Sequence, residues 1–230
     1  TRPQFEDPKG PNYTTIEASN NAVLTYHYDP KGNVRPWDRT LYIKVVRGFL
    51  REGDKITITF GDRSGGSPGM RLQTFCEDSY EFHTLIDPIA TYCYQPMPVQ
   101  PVIKIIPGKP DRYLAVAPTI RAIDESFSIK FKGEDKWGNP SDQCDIKLYP
   151  RASHPVKNLP DMISLKPGEF FGVIAGLSVA DAADLHIDFL DDAGALMCRT
   201  NPVRIEPAPL SRHFWGDLHG QSEETIGTGS

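Results

Sequence analysis

The sequence lacks long apolar runs and lacks an excess of positive charge. No stretch approaches the roughly 20 apolar residues that a membrane-spanning helix needs. Lysine and arginine total 25 against 30 aspartates and glutamates, which gives a net charge of −5. A chain of this charge does not supply the overall positive field that draws proteins to nucleic acids. We therefore expect neither a membrane span nor a nucleic-acid partner.

Cysteine is also scarce. The four cysteines (Cys76, Cys93, Cys144 and Cys198) are widely separated and form no C-x-x-C pair, which argues against a zinc site built on thiolates. Two interpretations stay open. The cysteines form one disulfide in each half of the chain (Cys76 with Cys93, Cys144 with Cys198), or all four are unpaired thiols in or beside a core.

Glycine and proline are instead abundant, with 19 and 21 residues among 230. Such a density of chain-bending residues is typical of many short strands joined by turns and disfavours a helical bundle. Hydrophobic residues make up 39% of the chain, which is enough for a packed core. The sequence therefore predicts a mainly β fold, and its length allows two small domains.

In the first half of the chain, apolar and polar residues alternate with the period of two that is typical of strands. Residues 40–46 and 55–60 follow this pattern and flank a turn at 51–54, which predicts two neighbouring antiparallel strands. Further strands are predicted at three places in this half: 21–28, 71–75 and 80–86. We expect an N-terminal β-sandwich over residues 13–95, preceded by an extended lead-in over residues 1–12.

Residues 95–101 (QPMPVQP) form a proline-stiffened connector and mark the predicted domain boundary. Eight short strand-like runs, separated by turn residues, follow this connector. The spacing is typical of an immunoglobulin-like β-sandwich, which we predict over residues 96–207. The runs are 102–106, 113–117, 126–132, 145–149, 170–174, 185–190, 196–199 and 203–205.

A glycine-rich segment at 61–69 (GDRSGGSPG) is a candidate ligand loop. Its glycines can expose backbone N–H groups, and Arg63 and Arg71 would add positive charge for an anion. The segment lacks the lysine and hydroxyl pair of a nucleotide-binding P-loop. The alternative is a wide inter-strand loop in which glycine and proline only set the shape.

A second loop, at 134–140 (EDKWGNP), carries Trp137. This tryptophan either stacks on a bound sugar or caps the edge of a sandwich. A sugar site would need a partner aromatic residue and polar groups on the same face, and the sequence does not reveal them. Turn chemistry at Gly138, Asn139 and Pro140 accounts for the segment by itself.

The C-terminal segment has a different character, because polar and metal-ligating residues recur at alternate positions. If residues 214–221 are extended, one face carries the side chains of His213, Trp215, Asp217, His219 and Gln221. Imidazole and carboxylate groups two residues apart on a strand can converge on one cation, with further oxygen donors from Glu223 and Glu224. The alternative is an exposed polar tail.

Residues 214–222 (FWGDLHGQS) resemble the opening strand of the PHP superfamily, named after polymerase and histidinol phosphatase. More specifically, the chain resembles a large bacterial family in which β domains precede a PHP-type metallohydrolase barrel. The segments at 61–69 and 135–140 are similar to recurring motifs of the N-terminal region of that family. The resemblance thus spans most of the chain.

The resemblance implies that residues 208–230 are the first strand of a PHP-type barrel, truncated in this chain. His219 matches the first histidine of the His-x-His motif of the superfamily, Gln221 stands at the second position, and Asp217 adds a carboxylate. The implied cofactor is a divalent metal, Mn, Mg, Fe or Zn. The amide at position 221 favours manganese or magnesium over zinc, because an amide oxygen is a harder ligand than imidazole.

The resemblance also implies a function. We expect the N-terminal accessory region of a metal-dependent hydrolase of the phosphoesterase type, with a small-molecule substrate such as a phosphate ester. The remainder of the catalytic domain would be its partner, because the other ligands of a PHP site come from later strands. The 230 residues alone are expected to be inert and to hold no metal tightly. The alternative function is a non-catalytic tandem β-sandwich that binds carbohydrate or protein.

Overall fold

The computed structural model describes residues 2–33, 37–209, 211 and 216. Within these residues the chain forms strands, turns and loops and contains no helix. The predicted mainly β fold with β-sandwich character is confirmed. The predicted barrel strand lies outside the described residues, apart from a few isolated positions.

Eighteen strands are formed by the described residues. In chain order they are β1 (Thr14–Ala18), β2 (Val23–Asp29), β3 (Thr40–Arg47), β4 (Ile56–Phe60), β5 (Glu77–Glu81), β6 (Leu85–Ile86), β7 (Gln95–Pro96), β8 (Val102–Ile105), β9 (Arg112–Val116), β10 (Ile120–Ala122), β11 (Phe127–Glu134), β12 (Ile146–Ala152), β13 (Ile163–Leu165), β14 (Gly172–Leu177), β15 (Ala183–Leu185), β16 (Ile187–Leu190), β17 (Leu196–Arg199) and β18 (Val203–Glu206).

The described residues divide into two compact units. The first comprises the residues up to 74 together with 80–103, and the second comprises 75–79 together with the residues from 104 onward.

The first unit is built from two-stranded antiparallel sheets. Strand β1 pairs with β4, and β2 pairs with β3. The predicted pairing of 40–46 with 55–60 is therefore wrong. The reason is visible at Asn20, whose side-chain amide donates to the Phe49 carbonyl at 2.8 Å and to the Asp54 carboxylate at 2.7 Å. These bonds hold the loop after β3 against the β1–β2 turn, so that the loop does not close a β3–β4 hairpin.

The strand predicted over 71–75 is also absent, because residues 71–75 are irregular. The Arg71 backbone N–H donates to the Asn12 side chain at 2.8 Å instead of to a neighbouring strand. A local side-chain acceptor of this kind competes with a strand ladder for the backbone donor. The alternation of RLQTF is therefore not sufficient for a strand at this position.

The second unit contains two larger antiparallel sheets, in the orders β14–β11–β9 and β13–β12–β16–β17. A third small sheet, β10–β18–β15, includes the parallel pair β10–β18. Each of the eight predicted runs after residue 101 contains a strand. The immunoglobulin-like arrangement of this region stays a prediction.

The core of the second unit follows from strict alternation along β11. Phe127, Ile129 and Phe131 point inward and are buried, whereas Lys130 between them is exposed. Phe131 stacks on the buried Phe189 of β16 with ring centroids 6.3 Å apart. Alternation of this kind leaves the other face of the β14–β11–β9 sheet outside the core.

All four cysteines are free thiols. The structure therefore agrees with the interpretation of four unpaired thiols. Burial raises the pKa of Cys144, and burial together with the Asp188 carboxylate raises the pKa of Cys198 to about 11. Both side chains stay protonated at neutral pH and act as small apolar groups.

Candidate functional site

The second unit has a cleft of about 630 Å³ on the outer face of the β14–β11–β9 sheet. Small-molecule sites usually have volumes of roughly 300–1,000 Å³ and mostly apolar walls. The cleft is lined by Cys76, Glu77, Asp78, Lys104, Ile105, Pro107, Leu114, Val116, Lys130, Phe131, Lys132, Pro140, Phe170 and Phe171. Nine of these fourteen residues are aliphatic, aromatic, proline or cysteine, so the lining is mostly apolar.

Several apolar side chains of the cleft are exposed. Val116 on β9 is 60% exposed, and Phe171, just before β14, is 61% exposed. Leu114 and Phe170 are also exposed. Apolar residues exposed together around a concavity indicate a binding surface more often than residues scattered singly.

The charged groups beside the cleft are mostly neutralised by ion pairs. The Glu134 carboxylate, buried at the end of β11, accepts from the Arg112 guanidinium and from the Lys132 ammonium, the latter at 2.8 Å. Burial acts to raise the pKa of Glu134, but the bonds from Lys132 and Arg112 outweigh burial and lower it. Across the cleft, Lys104 donates to Asp78 at 2.8 Å.

Lys130 is the exception. It lies on the outer face of β11 opposite Val116 of β9 and Val173 of β14. Its ammonium has no hydrogen-bond or ion-pair partner among the residues that the structure describes. The cleft therefore offers the ammonium of Lys130 beside exposed apolar side chains.

Sequence reasoning missed this cleft. Period-two alternation over 126–132 places Lys130 on the polar face of a strand, and that signal is visible in the sequence. The exposed valines beside Lys130 come from β9 and β14, more than a dozen residues away in each direction. Only the pairing of the strands brings them together.

The loop carrying Trp137 is organised by one carboxylate. Asp135 is buried, and its oxygens accept from the backbone N–H groups of Gly108, Trp137 and Asn139 and from the Asn139 side-chain amide. Burial acts to raise the pKa of Asp135, but these hydrogen bonds outweigh burial and lower the pKa to about 2. The result is a rigid hairpin loop on which Trp137 is 53% exposed, with the Lys136 ammonium 5.0 Å from its ring centroid.

The glycine-rich loop at 61–69 is held in place by its own contacts. The Ser67 hydroxyl donates to the Gly10 carbonyl at 2.7 Å, and the Asn12 backbone N–H donates to the Gly69 carbonyl at 2.9 Å. Gly61 has a φ of 69° and lies so close to the Met70 backbone that a Cβ atom would clash. Glycine is therefore needed here for close packing, which agrees with the interpretation of this segment as an inter-strand loop whose shape is set by glycine and proline.

The two arginines predicted to bind an anion belong to the same unit as this loop. The Arg63 guanidinium lies beside Gly69, where an added Cβ would contact Nε at 3.0 Å. Arg71 is bound to Asn12 through its backbone N–H. Anion binding by Arg63 and Arg71 stays a prediction.

The predicted metal residues Asp217, His219 and Gln221 lie outside the described residues. Within the part of the chain that the structure describes, no group of three or more His, Cys, Asp or Glu side chains is arranged to hold a metal ion. The same part of the chain contains no helix with the length and apolarity that a membrane crossing requires. No protein-family model matches the chain, and no curated protein shows significant sequence similarity to it.

Proposed function

We propose that this chain is the N-terminal accessory region of a PHP-like metal-dependent hydrolase that acts on phosphate esters. The observation that carries the proposal is the segment FWGDLHGQS at 214–222, which resembles the opening strand of a PHP barrel. The all-β units that the structure describes fit this proposal as accessory domains in front of the barrel. In the proposal, the metal-dependent hydrolysis belongs to the barrel and not to these units.

The donor set in this segment suits a hard or borderline divalent cation. Asp217 offers a carboxylate, His219 an imidazole and Gln221 an amide oxygen. An amide oxygen in place of a second imidazole favours manganese or magnesium over zinc, because it is the harder ligand. When bound, such an ion supplies Lewis-acid activation of water and of the phosphoryl group. We propose that His219 and Asp217 hold it, with Gln221 completing the set.

The two β units would then orient the substrate or shield the mouth of the barrel. A rigid β scaffold suits this role because residues on paired strands keep their positions better than residues on loops. The units themselves supply no metal-dependent chemistry in this proposal.

The test is a single substitution in the full-length natural protein. We expect His219→Ala to abolish stoichiometric manganese binding, measured by mass spectrometry of the metal content, and to lower the hydrolysis of p-nitrophenyl phosphate at least 100-fold. His154→Ala is the control, because His154 is an exposed histidine whose ring bonds to the neighbouring Ser153 hydroxyl. The proposal is wrong if His219→Ala retains both metal and activity.

A second candidate function, a non-catalytic module that binds carbohydrate, is favoured by Trp137. Its indole ring is exposed on a loop fixed by Asp135, and a ring held in this way loses little conformational freedom when a sugar stacks on it. We expect a glycan array to show binding by the wild-type chain that Trp137→Ala weakens about tenfold. Trp37→Ala is the matched control, since Trp37 is 47% exposed and its ring contacts that of His83 in a tilted arrangement, with centroids 4.9 Å apart. Equal loss with both variants would contradict a specific role for Trp137.

A further inference from the structure

We propose that the cleft on the outer face of β9, β11 and β14 binds a small organic monoanion with an apolar body, whose charged group pairs with the Lys130 ammonium. This inference concerns the second unit alone. It does not depend on the hydrolase proposal, since no residue of the segment at 214–222 takes part.

The size and walls of the cleft point to a compact apolar body. Its volume of about 630 Å³ accommodates a molecule with one or two aromatic rings. Phe170 and Phe171 line it together with the exposed Leu114 and Val116. Covering these side chains would remove apolar surface from water, which is the main source of affinity at a site of this kind.

The charges of the cleft point to a single negative group on the ligand. Three lysines line it, together with the carboxylates of Glu77 and Asp78. Lys132 is bound to the buried Glu134, and Lys104 is bound to Asp78. Lys130 is thus the lysine of the cleft whose ammonium has no partner among the described residues and can pair with one negative group of a ligand.

The surroundings of Lys130 strengthen its attraction for an anion. Val116 and Val173 lie opposite it on the two neighbouring strands, and neither side chain can accept a hydrogen bond. The apolar body of a bound ligand, together with these valines, would exclude water from the Lys130 ammonium on several sides. A charge-assisted hydrogen bond is stronger in such a place than on an open surface.

The test is calorimetric titration of the 230-residue chain with two probes that share a ring system, the anion 2-naphthoate and the neutral 2-naphthamide. We expect 2-naphthoate to bind more tightly, and Lys130→Gln to raise its dissociation constant about tenfold while leaving that of the amide unchanged. Phe171→Ala is expected to weaken both probes. Lys147→Gln serves as the control, because Lys147 is an exposed lysine on strand β12, away from the cleft.

Several outcomes would overturn the proposal. One is a Lys130→Gln variant that binds 2-naphthoate as tightly as the wild-type chain does. A second is no measurable binding of either probe at millimolar concentration. A third is self-association of the chain, detected by light scattering, that Val116→Asp abolishes and 2-naphthoate does not inhibit. That result would mean that the cleft binds a second copy of the chain.

Discussion

Replacing Phe189 with alanine is expected to lower the free energy of unfolding of the second unit by about 4 kcal/mol. The ring of Phe189 is fully buried and stacks on Phe131, whose own side chain is 4% exposed. Alanine would remove most of this contact and leave a cavity, because the strands on both sides are fixed by their ladders and can collapse only in part.

The change can be measured by hydrogen exchange of the β11 amides, which report on the opening of the second unit. Phe171→Ala is the matched control, because the same atoms are removed from a side chain that is 61% exposed. We expect the control to change stability by less than about 0.5 kcal/mol. Phe189→Leu, which keeps most of the volume, should cost about 1.5 kcal/mol. Equal costs for Phe189→Ala and Phe171→Ala would mean that the core of this unit lies elsewhere.

The substitution Asp135→Ala is expected to destabilise the second unit by about 3 kcal/mol. Four N–H donors converge on this buried carboxylate, from Gly108, Trp137, and the backbone and side chain of Asn139. Alanine would leave these donors without their acceptor, and a buried donor left unpaired costs more than an average hydrogen bond contributes. Denaturation in urea at neutral pH would measure the loss.

The Asp191 turn provides a control within the same unit. Asp191 accepts from the N–H groups two and four residues later, at Ala193 and Ala195, as Asp135 does at Trp137 and Asn139. Asp191 is only partly buried and receives no bond from outside its own turn among the described residues. We expect Asp191→Ala to cost about 1 kcal/mol or less. If Asp191→Ala costs as much stability as Asp135→Ala, the hydrogen bonds of the turn, and not the burial of the carboxylate, account for the loss.

The stability that Asp135 contributes should depend on pH in a defined direction. Its pKa in the folded chain is about 2, below the ordinary value of 3.8. A carboxylate with a lowered pKa stabilises the fold fully above its unfolded pKa and loses that contribution as the pH falls from about 4 to about 2. The difference in stability between the wild-type chain and Asp135→Ala should therefore shrink over this interval.

The positions of the strands were more predictable than their partners. After residue 101, each predicted run contains a strand, because the runs are short and most of them stop just before glycine, proline or aspartate. The three-residue strands β10 and β13 were missed, since runs this short carry little periodic signal. In the first unit, the pairing of 40–46 with 55–60 failed because the Asn20 side chain binds the loop between them.

The candidate sites also differ in how far the sequence predicts them. The Asp135 loop was visible as turn chemistry, and the glycine-rich loop was visible as a break between strands. The cleft around Lys130 was not, because its members come from residues 76–171. The carboxylate of Glu134 is shared between Lys132 and Arg112, whereas Lys130 has no partner among the described residues.

The sequence by itself determined that this chain is built of short strands and where several of its tight turns lie, such as those at 51–54 and 135–138. Those features depend on neighbours within a few residues, and side-chain alternation and turn chemistry act over that range. Only the tertiary structure decided which strands pair, which side chains form the cleft and which lysine keeps its charge unmatched. Each of these depends on cross-strand register, which is set by contacts between residues far apart in the chain.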